Sequence, residues 1–435
     1  MALIRISYIV SKTIIDFLVI ELNKQINFFI KQNTLSIIFF FYLFFYIAGP
    51  ALINIYVTLI SIFCLIYIFL HLDRITLKSF YIDKPSFFLI IFFVYALIVS
   101  ILKKNFNIDI LSFFRYLIIY LFLTFYFSTK KKHSIHLKEI LIFFTLLISI
   151  DGLYQYFLRV NVVGFEIFDS YRLTSFFRKE PIVGSFLLKT SLPLLAIYLL
   201  SNKKNILLIL LLLFSSMIIF LSGERMPLLQ YFFGIVIMIL FLKNKKKLFA
   251  ILVATSSILL IILSLNKGLL DRYVSTYTTF STIVSNTINN DNSHEKQSIN
   301  EHLSVNQYIL NFKSGINVWS HNKIFGGGYR YYNKNCDLLL GNEYHVGCSK
   351  HPHNIYIELL SDYGLLGSIL FIIFLFSSFY EFYKKNHNKI FIGIGILFIS
   401  ICFPLSTSQS IFSSYYGSVF FLIPYLMNYY SKSNI

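Results

Sequence analysis

The sequence predicts an all-α polytopic membrane protein with about 12 transmembrane helices and one large loop outside the membrane. The first observation is its composition: 57% of the 435 residues are hydrophobic, 13% are charged, and the mean hydropathy is +0.70. A soluble domain carries about 25% charged residues, so a set of globular domains is excluded. The net charge of +18 therefore fits loops that face an anionic membrane surface, and no nucleic-acid partner is expected.

The second observation is a series of apolar runs near the ~20 residues that cross a bilayer. Nine runs fall within residues 34–265, the large loop covers 266–352, and three more runs fall within 353–435. The runs lie at about 34–48, 51–70, 86–102, 109–128, 138–157, 182–200, 205–222, 227–242, 248–265, 353–378, 390–403 and 410–429.

The first 33 residues are expected to form a cytoplasmic or interfacial segment. Their apolar stretch, 3–20, is interrupted by Lys12 and Asp16, and no small-residue cleavage site follows it. With this segment inside and the runs alternating, the lysine clusters at 130–132 and 243–247 both fall on the inner side, as the positive-inside rule requires. Both termini are then cytoplasmic, and the large loop is on the outer, periplasmic face.

Arginine and lysine are distributed differently across the predicted membrane. Ten of the 29 lysines fall on the outer side, and among them the pair Lys103 and Lys104 departs from the positive-inside rule. Most arginines fall on the outer side: Arg115, Arg159, Arg172, Arg178, Arg225, Arg272 and Arg330. The guanidinium fork binds phosphate in a bidentate manner, whereas lysine is a point charge. The distribution indicates an outward-facing phosphate or carboxylate site; ion pairs with outer carboxylates are the alternative.

The large loop contains a predicted helix and a cysteine pair. Apolar residues recur there at a spacing of three to four, which predicts an amphipathic helix whose apolar face packs on the membrane domain. They are Val305, Tyr308, Ile309, Phe312, Ile316 and Trp319. Cys336 and Cys348 lie in the same loop, and in an oxidising periplasm they are expected to form a disulfide.

The most informative motif stands where the large loop re-enters the membrane. It reads His351-Pro352-His353-Asn354 and ends, further along, in Gly364-Leu365-Leu366-Gly367. A proline suits a helix start, so His353 and Asn354 are expected at the outer mouth of the tenth span. A histidine there can take a proton from a hydroxyl; an interfacial cap is the alternative. A zinc site formed with His345, Cys336 and Cys348 is a further alternative, but the spacing fits no standard zinc pattern, so no metal is expected.

Three further segments carry outer cations. Phe325-Gly326-Gly327-Gly328-Tyr329-Arg330 presents an arginine after a glycine-rich turn, without the Gly-Lys-Ser/Thr ending of a nucleotide loop. Ser222-Gly223-Glu224-Arg225 and Tyr171-Arg172 place two more at membrane boundaries. Arg115 and Asp151 lie near the outer ends of the fourth and fifth spans, where they either pair with each other or contact a substrate.

These blocks together resemble the O-antigen ligase/O-antigen polymerase superfamily. His353-Asn354 followed after nine residues by Gly364-x-x-Gly367 resembles its signature, and the Arg172, Arg225 and Arg330 segments resemble further blocks, so that the resemblance covers about 165–370. It implies a membrane glycosyltransferase that uses a polyprenyl-diphosphate-linked glycan as donor, without metal or other cofactor. The implied acceptor is lipid A core or a growing O-antigen or polysaccharide, at the periplasmic face of a bacterial inner membrane.

The resemblance also implies roles for individual residues. His353 is the implied catalytic base and Arg225 the implied diphosphate ligand, with Arg172 and Arg330 as further ligands; the supporting residues are His351, Asn354, Arg115 and Asp151. Ligase-type members often carry an arginine just ahead of the periplasmic helix, where this chain has Glu301-His302, so a second diphosphate ligand stays unassigned.

Two other classes of protein were weighed against a glycosyltransferase. A transporter or lipid flippase also has many spans, but it would place ionisable residues near the bilayer midplane and show two related halves. A non-catalytic scaffold of glycan assembly is the other alternative. The outer boundary position of the charges favours the enzyme, and the sequence does not separate ligase from polymerase.

Overall fold

The computed structural model describes ten stretches of the chain, and within them the protein is helical. These stretches are 34–70, 83–129, 136–169, 171–200, 205–241, 245–274, 303–340, 348–385, 389–404 and 409–432. The described residues contain no strand, only two isolated β-bridges in the 159–182 connection. The predicted N-terminal segment, 1–33, and the 281–302 part of the large loop lie outside the described residues.

Fifteen helices are described in these stretches. They are α1 Thr34–Ala48, α2 Pro50–Leu70, α3 Lys84–Leu102, α4 Asp109–Thr129, α5 Leu137–Leu158, α6 Val183–Leu200, α7 Ile206–Leu221, α8 Arg225–Phe241, α9 Lys245–Leu265, α10 Lys267–Val274, α11 Leu303–Ser320, α12 Tyr331–Leu340, α13 Ile355–Lys385, α14 Lys389–Ile401 and α15 Ser414–Lys432.

Each of the twelve apolar runs coincides with a helix, α1 to α9 and α13 to α15. Five helices are long and apolar enough to cross a membrane (α2, α3, α4, α5 and α13), and a sixth if the bent pair α9–α10 counts as one span. Five more apolar helices are shorter. The all-helical, multi-pass membrane fold is therefore confirmed, whereas the count of 12 spans and the periplasmic position of the large loop stay predictions.

Local sequence signals explain where several helices begin. Asp83 caps α3 by accepting a hydrogen bond from the Ser86 amide at 3.0 Å, with Pro85 in the first turn. Asn205 caps α7 in the same way through the Leu208 amide at 3.1 Å. The pattern is the one expected for side-chain oxygens that satisfy the free amides of a first helical turn.

Two pairs of connections meet at what we take to be one end of the bundle. The α3–α4 turn meets the segment before α12, where Lys103 Nζ donates to Asn322 Oδ1 at 3.0 Å. The 159–182 connection meets the α14–α15 connection, where Gln409 Nε2 donates to Glu180 Oε2 at 3.5 Å. We call this the outer end, following the predicted topology. The residues singled out in the sequence lie there.

Candidate active site

Helix α13 is broken at Gly364, the first glycine of the Gly-x-x-Gly motif. Gly364 has φ +66° and ψ −169°, a conformation that L side chains rarely adopt. The break frees the amides of Leu365 and Leu366, which donate instead to the carbonyls of Lys323 and Ile324 at 2.9 and 3.1 Å. Backbone groups in a membrane protein need such partners, so the segment before α12 completes the broken helix.

The glycine-rich turn fits closely into this break. A Cβ on Gly326 would lie 2.4 Å from the Gly364 nitrogen, and one on Gly364 would lie 2.4 Å from the Ile324 oxygen. The Gly328 amide donates to the Asp362 carbonyl at 2.7 Å, and the buried Asp362 carboxylate accepts from the Tyr332 amide at 2.9 Å. The glycine run and the Gly-x-x-Gly motif therefore share one structural role: they allow the segment before α12 to pack closely against α13.

The His353 segment, residues 351–354, is held at the start of α13. Asn354 is the N-cap: its Oδ1 accepts from the amides of Tyr356 and Ile357 at 3.0 and 3.1 Å. Its Nδ2 donates to the Pro404 carbonyl at 2.7 Å, which joins the segment to the α14–α15 connection. His353 itself has φ +56°, and its ring centroid lies 4.2 Å from that of His351. The helix begins at Ile355, three residues after the predicted start at Pro352, so both imidazoles lie just before it and are half-buried.

A small outer cap fixes the other side of the His353 segment. Cys336 of α12 and Cys348 form a disulfide, and the buried Val318 of α11 and Tyr332 of α12 form a core beside it. Asn333 Nδ2 donates to the Lys350 carbonyl at 3.0 Å. The cap consists of α11, α12 and the disulfide, and it ties the chain immediately before His351 to α12.

Three arginines meet around Gly223, in the turn between α7 and α8. Arg272 of α10 donates from Nε to the Gly223 carbonyl at 2.7 Å and from Nη1 to the Tyr171 hydroxyl at 3.2 Å. Arg172 lies against the same glycine, since a Cβ there would be 3.6 Å from Arg172 Cγ and 3.8 Å from Arg272 Cδ. Arg225 begins α8 two residues later.

All three arginines act electrostatically on the same group, the hydroxyl of Tyr273. Burial raises the pKa of Tyr273, and Arg272, Arg225 and Arg172 each oppose that rise. The Tyr273 hydroxyl donates a hydrogen bond to the Phe220 carbonyl at 3.0 Å, which anchors α10 to the end of α7. We refer to Arg172, Arg225 and Arg272 as the arginine cluster.

Glu224 is the buried carboxylate within this cluster. It caps α6, accepting from the Gly184 amide at 2.6 Å and the Ser185 amide at 3.2 Å. Burial raises its pKa to about 7, although Arg172, the two amide hydrogen bonds and Lys189 lower it. The carboxyl group therefore changes charge near neutral pH, beside the arginines.

Arg115 and Asp151, which the sequence also singled out, have their own hydrogen-bond partners. Arg115 is buried and donates to Asn54 and to Thr58 Oγ1 of α2. Asp151 accepts from the Val162 amide at 3.0 Å and from Ser175, so it organises the 159–182 connection. The two do not pair with each other, and each is held by the hydrogen bonds just described.

Arg330 lies near the start of α4, on the other side of α13 from the arginine cluster. It forms an ion pair with Asp109 at 3.9 Å, with both side chains about half exposed. It also acts electrostatically on Glu358 and Asp362 of α13. The structure thus separates Arg330 from Arg172 and Arg225, with which the sequence grouped it.

Contacts connect the arginine cluster to the His353 segment. The 159–182 connection carries Arg172 and Glu180, and Glu180 accepts from Gln409. Two residues on, the Ile411 amide donates to Glu358 Oε2 at 3.2 Å, one turn into α13 from Asn354. The α14–α15 connection therefore bridges the cations and the histidine.

Sequence reasoning assigned no role to Arg272 or Glu224. The signal for Arg272 was present in its outer position, but its contact with Gly223 joins residues far apart in sequence. Glu224 stood beside Arg225 without any mark of burial. Among the described residues, no three of His, Cys, Asp and Glu stand close enough together to hold a metal ion.

A comparison with known families matches most of this site. The O-antigen ligase family model matches residues 209–372, from α7 to just beyond the break in α13. No curated protein matches the chain significantly. The match includes Arg225, Arg272 and His353 and leaves Arg172 outside it. Residues 209–372 are therefore similar to the O-antigen ligase family, and the resemblance to the O-antigen ligase/polymerase superfamily that the sequence showed is confirmed.

Proposed function

We propose that the protein is a glycosyltransferase that moves a glycan from a polyprenyl-diphosphate carrier to an acceptor hydroxyl at the outer face of a bacterial inner membrane. The observation that carries this proposal is the arginine cluster around Gly223, joined by the α14–α15 connection to His353. Fixed cations beside a candidate base suit a reaction in which a diphosphate leaves.

The reaction follows from these positions. His353 accepts the proton of the acceptor hydroxyl, whose oxygen forms a bond with the anomeric carbon of the donor glycan. The bond between that carbon and the diphosphate oxygen breaks, and polyprenyl diphosphate leaves with the electron pair. The arginine cluster binds the diphosphate and stabilises the charge that develops on the departing oxygen. Arg272 serves as the second diphosphate ligand, which the sequence left unassigned.

The membrane domain offers a path for the carrier lipid. An apolar cavity lies between α1, α5, α6, α14 and α15, lined by side chains that include Tyr46, Phe186 and Val419. Lys189 also lines it, donates to Ser185 Oγ at 2.8 Å and interacts with Glu224. Lys189 therefore links the lining of the cavity to Glu224, beside the arginine cluster, and the carrier lipid is proposed to pack against these apolar helices.

The experiment that tests the proposal is a lipopolysaccharide gel from the native host lacking the gene, rescued by the wild-type protein or by His353→Ala. A core capped by a single repeat unit without rescue identifies a polymerase. Bare core, with long glycan left on its lipid carrier, identifies a ligase. An unaltered ladder contradicts both activities and returns the transporter and the scaffold to consideration.

A further inference from the structure

Five exposed cations gather at the outer end on the α3 side of α13. They come from the α3–α4 turn and from the segment that leads into α12, and we call them the basic patch: Lys103, Lys104, Lys323, Arg330 and Lys334. The segments that carry them, 103–109 and 321–334, contain one acidic residue, Asp109. The patch therefore has a clear excess of positive charge.

Little in the patch neutralises that charge. Lys103 donates to the amide oxygen of Asn322 at 3.0 Å, and Lys334 donates to the amide oxygen of Asn105. Both acceptors are neutral, so the hydrogen bonds orient the ammonium groups without cancelling their charge. The one ion pair of these two segments, Arg330 with Asp109, spans 3.9 Å between half-exposed side chains and is weak.

The patch also opposes the topology signal of the chain. Lysines in short loops favour the cytoplasmic side, yet Lys103 and Lys104 end a helix that alternation places outside. Neither lysine takes part in the arginine cluster. A charge that opposes the topology signal and has no carboxylate partner indicates a binding role.

Helix α12 connects the patch to the candidate base. Lys334 lies on α12, the neighbouring Asn333 donates to the Lys350 carbonyl, and Cys336 is bonded to Cys348. The His353 segment is thus held by α12 on the side of the patch, and by the α14–α15 connection on the side of the arginine cluster. Two groups of cations flank the place where the proposed transfer occurs.

We infer that the basic patch binds phosphate groups on the saccharide of the glycolipid acceptor. The inference rests on the proposed function, because the arginine cluster already supplies ligands for the donor diphosphate and the acceptor has none. Exposed lysines are flexible point charges, which suits phosphates whose positions vary along a saccharide better than one fixed leaving group. The acceptor then enters from the α3 side of α13, and the donor enters from the α7–α8 side.

The chain contains its own reporter for this binding. Trp319 is the single tryptophan, and its Nε1 donates to the carbonyl of Lys323 at 2.9 Å. Its fluorescence is expected to respond when the patch is occupied. The readout needs no turnover, so it decides this inference independently of the proposed activity.

The test uses full-length protein in phosphatidylcholine nanodiscs, titrated with the phosphorylated core oligosaccharide released from the host's lipopolysaccharide. Removing the phosphates from the oligosaccharide, or changing Lys103, Lys104 and Lys334 together to Gln, should raise the Kd about tenfold or more. Binding by wild type should weaken as salt rises, because exposed charges are screened. The control variant replaces three exposed lysines at the opposite end, Lys84, Lys246 and Lys384, and should bind like wild type.

Two results would overturn the inference. Equal affinity for the phosphorylated and dephosphorylated oligosaccharides shows that the patch does not read phosphate on the acceptor. A Trp319 response to phosphatidylglycerol in the nanodisc, without any response to the oligosaccharide, assigns the patch to membrane lipid instead. In a transfer assay, the patch variant should raise the KM for acceptor and leave the KM for donor unchanged, which a general loss of structure would not do.

Discussion

The α14–α15 connection contacts the parts of the chain that carry the arginine cluster and the His353 segment, but the two are held in place by different means. The arginines lie at the start of α8, in α10 and in the 159–182 connection, and main-chain contacts hold Arg272 and Arg172, to the Gly223 and Pro181 carbonyls. The histidine lies between a disulfide-bonded cap and the capped start of α13. The difference indicates that the charges for the leaving group are built into the membrane domain, whereas the position of the base depends on a cap that docks onto it.

The largest effect is expected from Gly364→Ala, which disrupts the contact between the segment before α12 and α13. The new Cβ would lie 2.4 Å from backbone atoms of Gly326 and Ile324, at a φ that alanine rarely adopts. We expect loss of folded protein, or destabilisation of at least about 3 kcal/mol, measured as yield and as thermal unfolding in detergent. Gly268→Ala is the control, because a Cβ there meets only Asn266 Oδ1 at 3.6 Å. Wild-type stability in Gly364→Ala would show that the break in α13 is not required.

The next largest effect is expected from His353→Ala, which separates the role of the base from that of the diphosphate ligands. Removing a general base costs roughly 10²- to 10⁴-fold in rate, and we expect kcat to fall by that factor while donor affinity stays unchanged. Single-turnover transfer and donor binding are measured on the purified protein. His321→Ala removes an exposed histidine at the same end and should be neutral. Normal turnover in His353→Ala would make His353 a structural residue.

Arg225→Lys tests the opposite half of the comparison. The charge remains but the planar guanidinium group is lost, so the leaving diphosphate is less well stabilised and kcat should fall by about 10²-fold. Donor binding should weaken together with kcat, unlike the result for His353→Ala. Arg178→Lys alters an exposed arginine in the neighbouring connection and serves as the control. Near-normal glycan transfer by Arg225→Lys would show that Arg225 is not a bidentate ligand of the diphosphate.

The disulfide gives a milder way to loosen the cap alone. Closing a loop of this length contributes about 3 kcal/mol in the chain-entropy treatment, so Cys336→Ser with Cys348→Ser should lower the free energy of unfolding of the cap by that order. We expect lower kcat with donor affinity intact, and the same change when wild type is treated with reductant. The double variant should then be insensitive to reductant. Alkylation of both thiols in native membranes without reductant would show that the pair is not bonded there.

These contrasts also show what could be predicted from the sequence. The twelve apolar runs coincide with helices because lipid requires continuous hydrophobic helices, a local property of the chain. The start of α13 was predicted from Pro352 to within three residues, because a proline acts within one turn. The break at Gly364 did not follow, since it exists only when residues 323–328 donate and accept across it. Arg272 was overlooked for the same reason, because its partner lies 49 residues earlier.

The smallest expected effect concerns Glu224, which adjusts the charge of the arginine cluster. Its pKa of about 7 means that the carboxyl is mostly neutral at pH 6 and mostly ionised at pH 8. An ionised Glu224 offsets part of the arginine charge, so donor affinity should fall about three- to tenfold over that interval. Binding is the quantity to measure, because it reports the charge of the arginine cluster without the chemical step.

Glu224→Gln separates this effect from other titrations. Glutamine is neutral throughout and can still accept a hydrogen bond from the α6 amides, so the variant should match wild type at pH 6 and keep that affinity at pH 8. A parallel decline in both proteins would mean that another group titrates. A pH-independent wild type would mean that the carboxyl keeps one charge state, and the arginine cluster would then present a constant charge to the diphosphate.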